Sequence, residues 1–203
     1  MNQPRTAAHL TLALKLLFGL AFVFLAALIL GQTILSKDIV SGTSMAPTLK
    51  DGDRLYSLRH KPVHRSDIVV IEAPDRPDAP GTLYIKRVIG MPGDTITVAN
   101  DQLYINGKKQ AEPYLNSAFM QQAIKQFAIE QNVPLAQAHF TSNFSLATLP
   151  ETHRARVPAG HYFVMGDNRL VSHDGRAFGF IAKSKVQSVV VWRYWPLSKM
   201  TIY

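Results

Sequence analysis

Three segments of the chain concentrate residues that can carry protons or attack a bond. They are Ser41-Gly42-Thr43-Ser44-Met45-Ala46-Pro47-Thr48-Leu49, then Tyr84-Ile85-Lys86-Arg87-Val88-Ile89-Gly90-Met91-Pro92-Gly93-Asp94, then Gly166-Asp167-Asn168-Arg169 through Ser172, Asp174 and Arg176. There is no cysteine, so thiol enzymes, Cys-ligated zinc, iron–sulfur clusters and disulfide scaffolds are excluded. Nucleophilic catalysis then falls to Ser, Thr, Lys or a carboxylate. Each segment also has a plain structural reading, because Gly and Pro shape turns and a single Ser or Lys in a loop is ordinarily solvated.

Other chemistries find little to stand on. The seven histidines are His9, His60, His64, His139, His153, His161 and His173. None forms HExxH, and His60 and His64 lie beside Lys61 and Arg65, which would repel a cation, so no metal is expected. Ser172-His173-Asp174 imitates a triad on paper, but neighbours on an extended chain point to opposite sides. Neither GxGxxG nor GxxxxGK[ST] occurs, so no nucleotide or other cofactor is expected.

These residues must be held by something, and the pattern divides the chain in two. Residues 16–36 form an uncharged run of 21 between Lys15 and Lys37, long enough to cross about 30 Å of hydrocarbon as a helix. The run exceeds a signal-peptide core and no small-x-small site follows before Lys37-Asp38, so a retained transmembrane anchor is expected, preceded by residues 1–15. Flanking charges leave its orientation open: Arg5 and Lys15 precede it, while Lys37, Lys50 and Arg54 follow. The net charge of +8, from 22 Lys+Arg against 14 Asp+Glu in 203 residues, points only to anionic partners.

After the anchor, short alternating runs separated by turn residues predict a mainly β domain. The expected strands are Arg54–Leu58, Ile68–Glu72, Leu83–Ile89, Thr95–Ala99, Gln102–Ile105, His161–Met165 and Val186–Trp192. Asn100-Asp101 and Asn106-Gly107 read as hairpin turns, and Met91-Pro92-Gly93-Asp94 as another tight turn. One stretch breaks the pattern: from a cap at Ser117, apolar residues at helical spacing run to Ala128. Residues 112–151 are therefore expected to be an insertion with a helical segment, and 37–111 with 152–203 the β-rich core.

Taken together and in order, the three segments resemble the type I signal peptidase family (bacterial leader peptidase, the Ser-Lys dyad family S26). That family's motifs are G-x-S-M-x-P-T-L, K-R-x-x-G-x-P-G-D and G-D-N-R-x-x-S-x-D-x-R, and Arg193-Tyr194-Trp195-Pro196-Leu197 is similar to its usual ending. The resemblance implies an antiparallel β-sheet catalytic domain behind one N-terminal transmembrane helix, and a Ser44–Lys86 catalytic dyad. A serine hydroxyl needs a base, and a lysine serves only when desolvation or a neighbouring cation removes its proton. On strand Leu83–Ile89, Tyr84 and Val88 flank Lys86 on one face while Ile85 and Ile89 flank Arg87 on the other, so alternation does not say which cation is buried. An arginine cannot be deprotonated in a protein, which leaves Lys86 as the base.

By the same resemblance Ser172 hydrogen-bonds and orients the lysine amine, Asp174 and Arg176 form a supporting ion pair, and the Ser44 backbone N–H donates to the oxyanion. The second oxyanion donor stays open: some members carry a serine two residues before the nucleophile, whereas Gly42 stands there here, as in members from Gram-positive bacteria, with Ser41 and Thr43 as substitutes. The implied function is a serine endopeptidase that removes signal peptides from translocated preproteins with small residues before the cut. The implied place is the bacterial inner (plasma) membrane, single-pass, with residues 1–15 as a cytoplasmic N-terminus and the catalytic domain on the outer, periplasmic face. Seven steps of chain from Lys37 to Ser44 span at most about 25 Å, which keeps Ser44 near the bilayer. Partners are then preprotein substrates and the lipid bilayer, not nucleic acid. Two alternatives remain: a dedicated pilin or secretion-system peptidase with the same dyad, suggested by Ser172-His173-Asp174-Gly175-Arg176-Ala177-Phe178 in place of the commoner D-S-R-Y, and a non-catalytic membrane-tethered β-domain binding cell-envelope components. Self-cleaving repressors with such a dyad lack an anchor and carry a helix-turn-helix, which does not fit.

Overall fold

The computed structural model describes residues 4–203, apart from the side chains of residues 4–12, 27–30 and 32. Helix α1 spans Pro4–Ile34. Leu16, Leu17, Phe18, Leu20 and Phe22 are 61–72% exposed along it. Among the described residues no helix is long and apolar enough to cross a membrane. The anchor expected over 16–36 includes 27–30 and 32, which lie outside the described side chains. The helix ends earlier than that run, because Leu35 and Ser36 already belong to strand β1, Leu35–Ile39.

Beyond it lie β2 (Arg54–Leu58), β3 (Ile68–Glu72), β4 (Leu83–Gly90), β5 (Ile96–Ala99), β6 (Gln102–Ile105), β7 (Lys108–Lys109), α2 (Ser117–Glu130), β8 (Phe144–Ser145), β9 (His161–Met165), α3 (Gly175–Phe178), β10 (Ile181–Ala182), β11 (Val186–Trp195) and β12 (Thr201–Ile202). The larger sheet runs β1-β2-β11-β3-β4-β9-β10 with β12 against β11, and the smaller runs β7-β6-β5-β8. Every pairing is antiparallel, as the alternating strands and short turns predict. At both hairpin turns the central residues have positive φ: Asn100 and Asp101 at 50° and 61°, Asn106 and Gly107 at 53° and 74°. This is the primed geometry that matches strand twist.

Two differences from the sequence reading have physical causes. Asn116, not Ser117, caps α2: its side chain accepts from the Phe119 N–H at 2.9 Å, the spacing an N-cap must satisfy. The stretch 112–151 is also woven into the core, because β8 pairs with β5 and Phe140, Phe144 and Leu146 are buried. A two-residue strand is too short to show a period of two in sequence.

The core has three apolar clusters. Ile96, Val98, Leu103 and Ile105 of the small sheet pack on Ile89, Phe163 and Met165 of the large one. Val69, Ile71, Val88, Val164 and Val189 form a second. Met45 and Leu49 plug the third against Leu55, Ile68, Val70 and Val190. Each of those two plugs is almost fully buried, worth about 1.5–3 kcal/mol, and they fix the turn that carries Ser44.

Candidate functional site

Ser44 lies on the loop between β1 and β2, and that loop is tied down from three directions. The Asn168 N–H donates to the Ser44 carbonyl at 3.0 Å and its side-chain amide to the Thr43 carbonyl at 3.3 Å. Thr48 Oγ1 donates to Asp167 at 2.5 Å, and Arg193 donates to the Thr48 carbonyl at 2.7 Å. Gly42, at φ 84°, gives its N–H to Asp51 at 2.7 Å, so that N–H is committed and the Gly42 position supplies no free side-chain donor.

Lys86 comes from β4, in register with Val69 of β3. Its Nζ is 3.0 Å from Ser44 Oγ and the residue is only 4% exposed. Both cations of the Lys86-Arg87 pair are buried, which alternation alone did not decide. Arg87 is spent on a bidentate pair with Asp167, Nε–Oδ1 2.8 Å and Nη2–Oδ2 2.6 Å, beneath the Tyr114 ring at 3.9 Å. Lys86 has no carboxylate at hydrogen-bond distance among the described residues. Burial pushes its amine below the ordinary lysine range; the charge of Asp174 works against this and that of Arg176 assists it.

Asp174 is fully buried and bound by Arg176 through two contacts of 2.8 and 2.9 Å. It also accepts from the Gly166 N–H at 2.9 Å and caps α3. Burial alone would raise its pKa, but Arg176 and the Gly166 N–H outweigh that and hold it below the usual carboxylate range. Ser172 departs from expectation. Its buried Oγ lies beside Asp174, whose carboxyl it helps to hold down, and is not within hydrogen-bond geometry of the lysine amine; the hydroxyl faces Gly166, where even a methyl group would collide with it.

The sequence reading gave no roles to Asp167, Asn168 and Arg169, yet they assemble the site. Asp167 bridges the Ser44 loop to β4, and Arg169 holds Glu112 and the Gly166 carbonyl. The available signal was three consecutive polar residues one glycine beyond an apolar strand, matched by a second cation beside Lys86. No cluster of His, Asp or Glu suited to a metal occurs among the described residues.

Ser44 and Lys86 open into a cleft of about 310 Å³ lined by Lys37–Ser41, Met45, Val70 and Leu83–Ile85. Its two long walls are strand edges. β1 ends the sheet and pairs only with β2, while β9 covers β4 only from Arg87 onward, leaving Leu83–Lys86 uncovered on that side. Such edges offer unpaired N–H and C=O groups to an extended peptide.

Comparison with known proteins gives the same direction. Residues 13–195 match the family model described as "Signal peptidase, peptidase S26". Signal peptidase IB of Staphylococcus aureus (strain Mu50) is 36% identical over 193 residues, covering 92% of this chain and 91% of that protein. Signal peptidase I of Bacillus caldolyticus is 41% identical over 170 residues, 82% of each. The crystal structure of a signal peptidase I from Enterococcus faecalis V583 superposes with a TM-score of 0.52 at 39% identity, covering 64% of this chain and 97% of that one. A buried lysine amine against a serine hydroxyl, an antiparallel scaffold and these matches lead to one conclusion: the chain belongs to the signal peptidase family, peptidase S26.

Proposed function

We propose that the chain is a membrane-bound serine endopeptidase that removes signal peptides from translocated preproteins, with Ser44 as nucleophile and Lys86 as general base. One observation carries this reading: a desolvated lysine amine 3.0 Å from a serine hydroxyl at the floor of an open-edged cleft. Ser44 Oγ attacks the scissile carbonyl while Lys86 takes its proton. The Ser44 backbone N–H donates to the oxyanion, a contact typically worth about 10²–10³ in rate. Collapse expels the new N-terminal amine, which receives the proton from Lys86. Water, deprotonated by Lys86, then hydrolyses the ester. Asp174 and Arg176 tune the amine through their charges rather than by touching it.

The substrate lies extended between β1 and Leu83–Ile85, and the apolar floor of Met45 and Val70 favours small, uncharged side chains before the cut. The Arg59 N–H caps the end of α1 by donating to the Ile34 carbonyl, and Lys37 already lines the cleft, so the helix end and the nucleophile are neighbours. An anchor in α1 therefore presents the cleft at the membrane surface where a signal peptide emerges, with the N-terminus cytoplasmic and the β domain outside. Trp195, Leu197 and Ile202, 46%, 65% and 84% exposed, with Arg54 against the Trp195 ring, suit contact with lipid headgroups. Incubation of Ser44→Ala with a preprotein bearing small-x-small before the cut tests the reading: no product is expected from a folded protein, and a processed product overturns it.

A further inference from the structure

Beside the dyad is a cluster that the chemistry above does not use. Tyr84 precedes Lys86 by two residues on β4, so both lie on one face of the strand, and Lys86 Nζ is 5.4 Å from the Tyr84 ring centre. Tyr84 also lines the cleft. Two rings hold it: Phe178 of α3 stacks at 6.1 Å and 24°, and His173 meets it edge-on at 6.2 Å and 86°. His173 and Phe178 touch each other at 5.6 Å. The three rings thus pack into one cluster, and its Tyr84 member stands in the wall of the substrate cleft.

His173 also reaches away from this cluster. Because Asp174 turns inward, the adjacent His173 turns outward, and its Nε2 meets Asp75 Oδ2. Asp75 belongs to the proline-rich loop joining β3 to β4, 98 residues away in sequence. That carboxyl is held below its usual range, its slight burial being outweighed by the His173 contact. The histidine therefore clips the β3–β4 loop to the segment carrying Asp174 and Arg176, with Tyr84 between them.

Building on the peptidase reading, we propose that His173 is a positioning residue for substrate: through Asp75 and the Tyr84 ring it sets the cleft wall next to Lys86. Losing the clip frees Tyr84 to swing into or away from the peptide path, while the Ser44–Lys86 contact, held by Asn168 and the β4 register, persists. The effect then falls on binding more than on chemistry. In detergent-solubilised full chain acting on a preprotein peptide, His173→Ala raises KM about 3- to 10-fold and lowers kcat less than twofold. Asp75→Asn raises KM in the same direction, and the double variant is no worse than His173→Ala, since both break one contact. His173→Phe, which keeps the ring packing, recovers part of the loss and guards against simple misfolding. An unchanged KM in His173→Ala, a parallel fall in kcat, or fully additive effects of the two substitutions overturns the proposal. Cleavage by Ser44→Ala would instead overturn the peptidase reading beneath it.

Discussion

At the scale of single residues, the lysine amine is where function and environment meet. Burial pushes Lys86 down, Arg176 helps and Asp174 opposes, so the neutral form is reached more easily than in a solvated lysine. Arg176→Met removes the helping cation and leaves Asp174 facing the amine, which raises the Lys86 pKa. The acid limb of the kcat/KM profile is expected to move to higher pH; a limb that stays or moves down contradicts this assignment. Gly166 offers a second test at this scale. A Cβ there would lie 2.5 Å from the Ser44 carbonyl oxygen and collide with Ser172 Oγ, so Gly166→Ala must displace the nucleophile. A kcat lowered at least about 10-fold is expected, and unaltered kinetics would show the contact to be slack.

At the scale of elements, the Arg87–Asp167 pair joins β4, the Ser44 loop and the segment after β9, buried on both sides. Removing one partner strands a charge, so Arg87→Met or Asp167→Leu should each cost about 3–5 kcal/mol in denaturant unfolding. The double variant should cost less than the two single losses combined; simple additivity would show that the pair is not coupled. This pair also marks how far the sequence was legible. Long strands such as β3, β4 and β9 announced themselves by alternation or apolar runs, and the positive-φ turns by Asn and Gly. β7, β8, β10 and β12, of two residues each, carry no periodicity to read. Likewise the roles of Ser44, Lys86, Asp174 and Arg176 came through the family resemblance of their segments, whereas Asp167 and Asn168 matter through contacts made 80 and more positions away. The Ser172–Lys86 bond implied by resemblance depends on a side-chain rotamer, which no sequence pattern specifies.

At the scale of the whole molecule, helix α1 runs directly into strand β1, whose residues Lys37–Ile39 line the cleft. If α1 anchors the protein, the full chain should stay with membranes through high-salt washing and leave only with detergent; release by salt alone would argue for a peripheral attachment. Acid stability has a direction too. The Asp174 pKa is lowered on folding, so its contribution is complete above the unfolded value of about 3.8 and disappears as pH falls through the lower folded value. Asp174→Asn should therefore flatten the acid side of the stability curve, as followed by thermal melts below pH 4, and an unchanged slope would remove Asp174 from that role. The central claim, however, is that a neutral lysine beside Ser44 accepts the proton of an attacking hydroxyl. Lys86→Arg keeps the positive charge and much of the volume but cannot accept that proton. Mass analysis of a preprotein incubated with this variant, its fold verified by circular dichroism, is the direct test: the account predicts intact substrate and no new N-terminus, and cleavage at the wild-type position would contradict it.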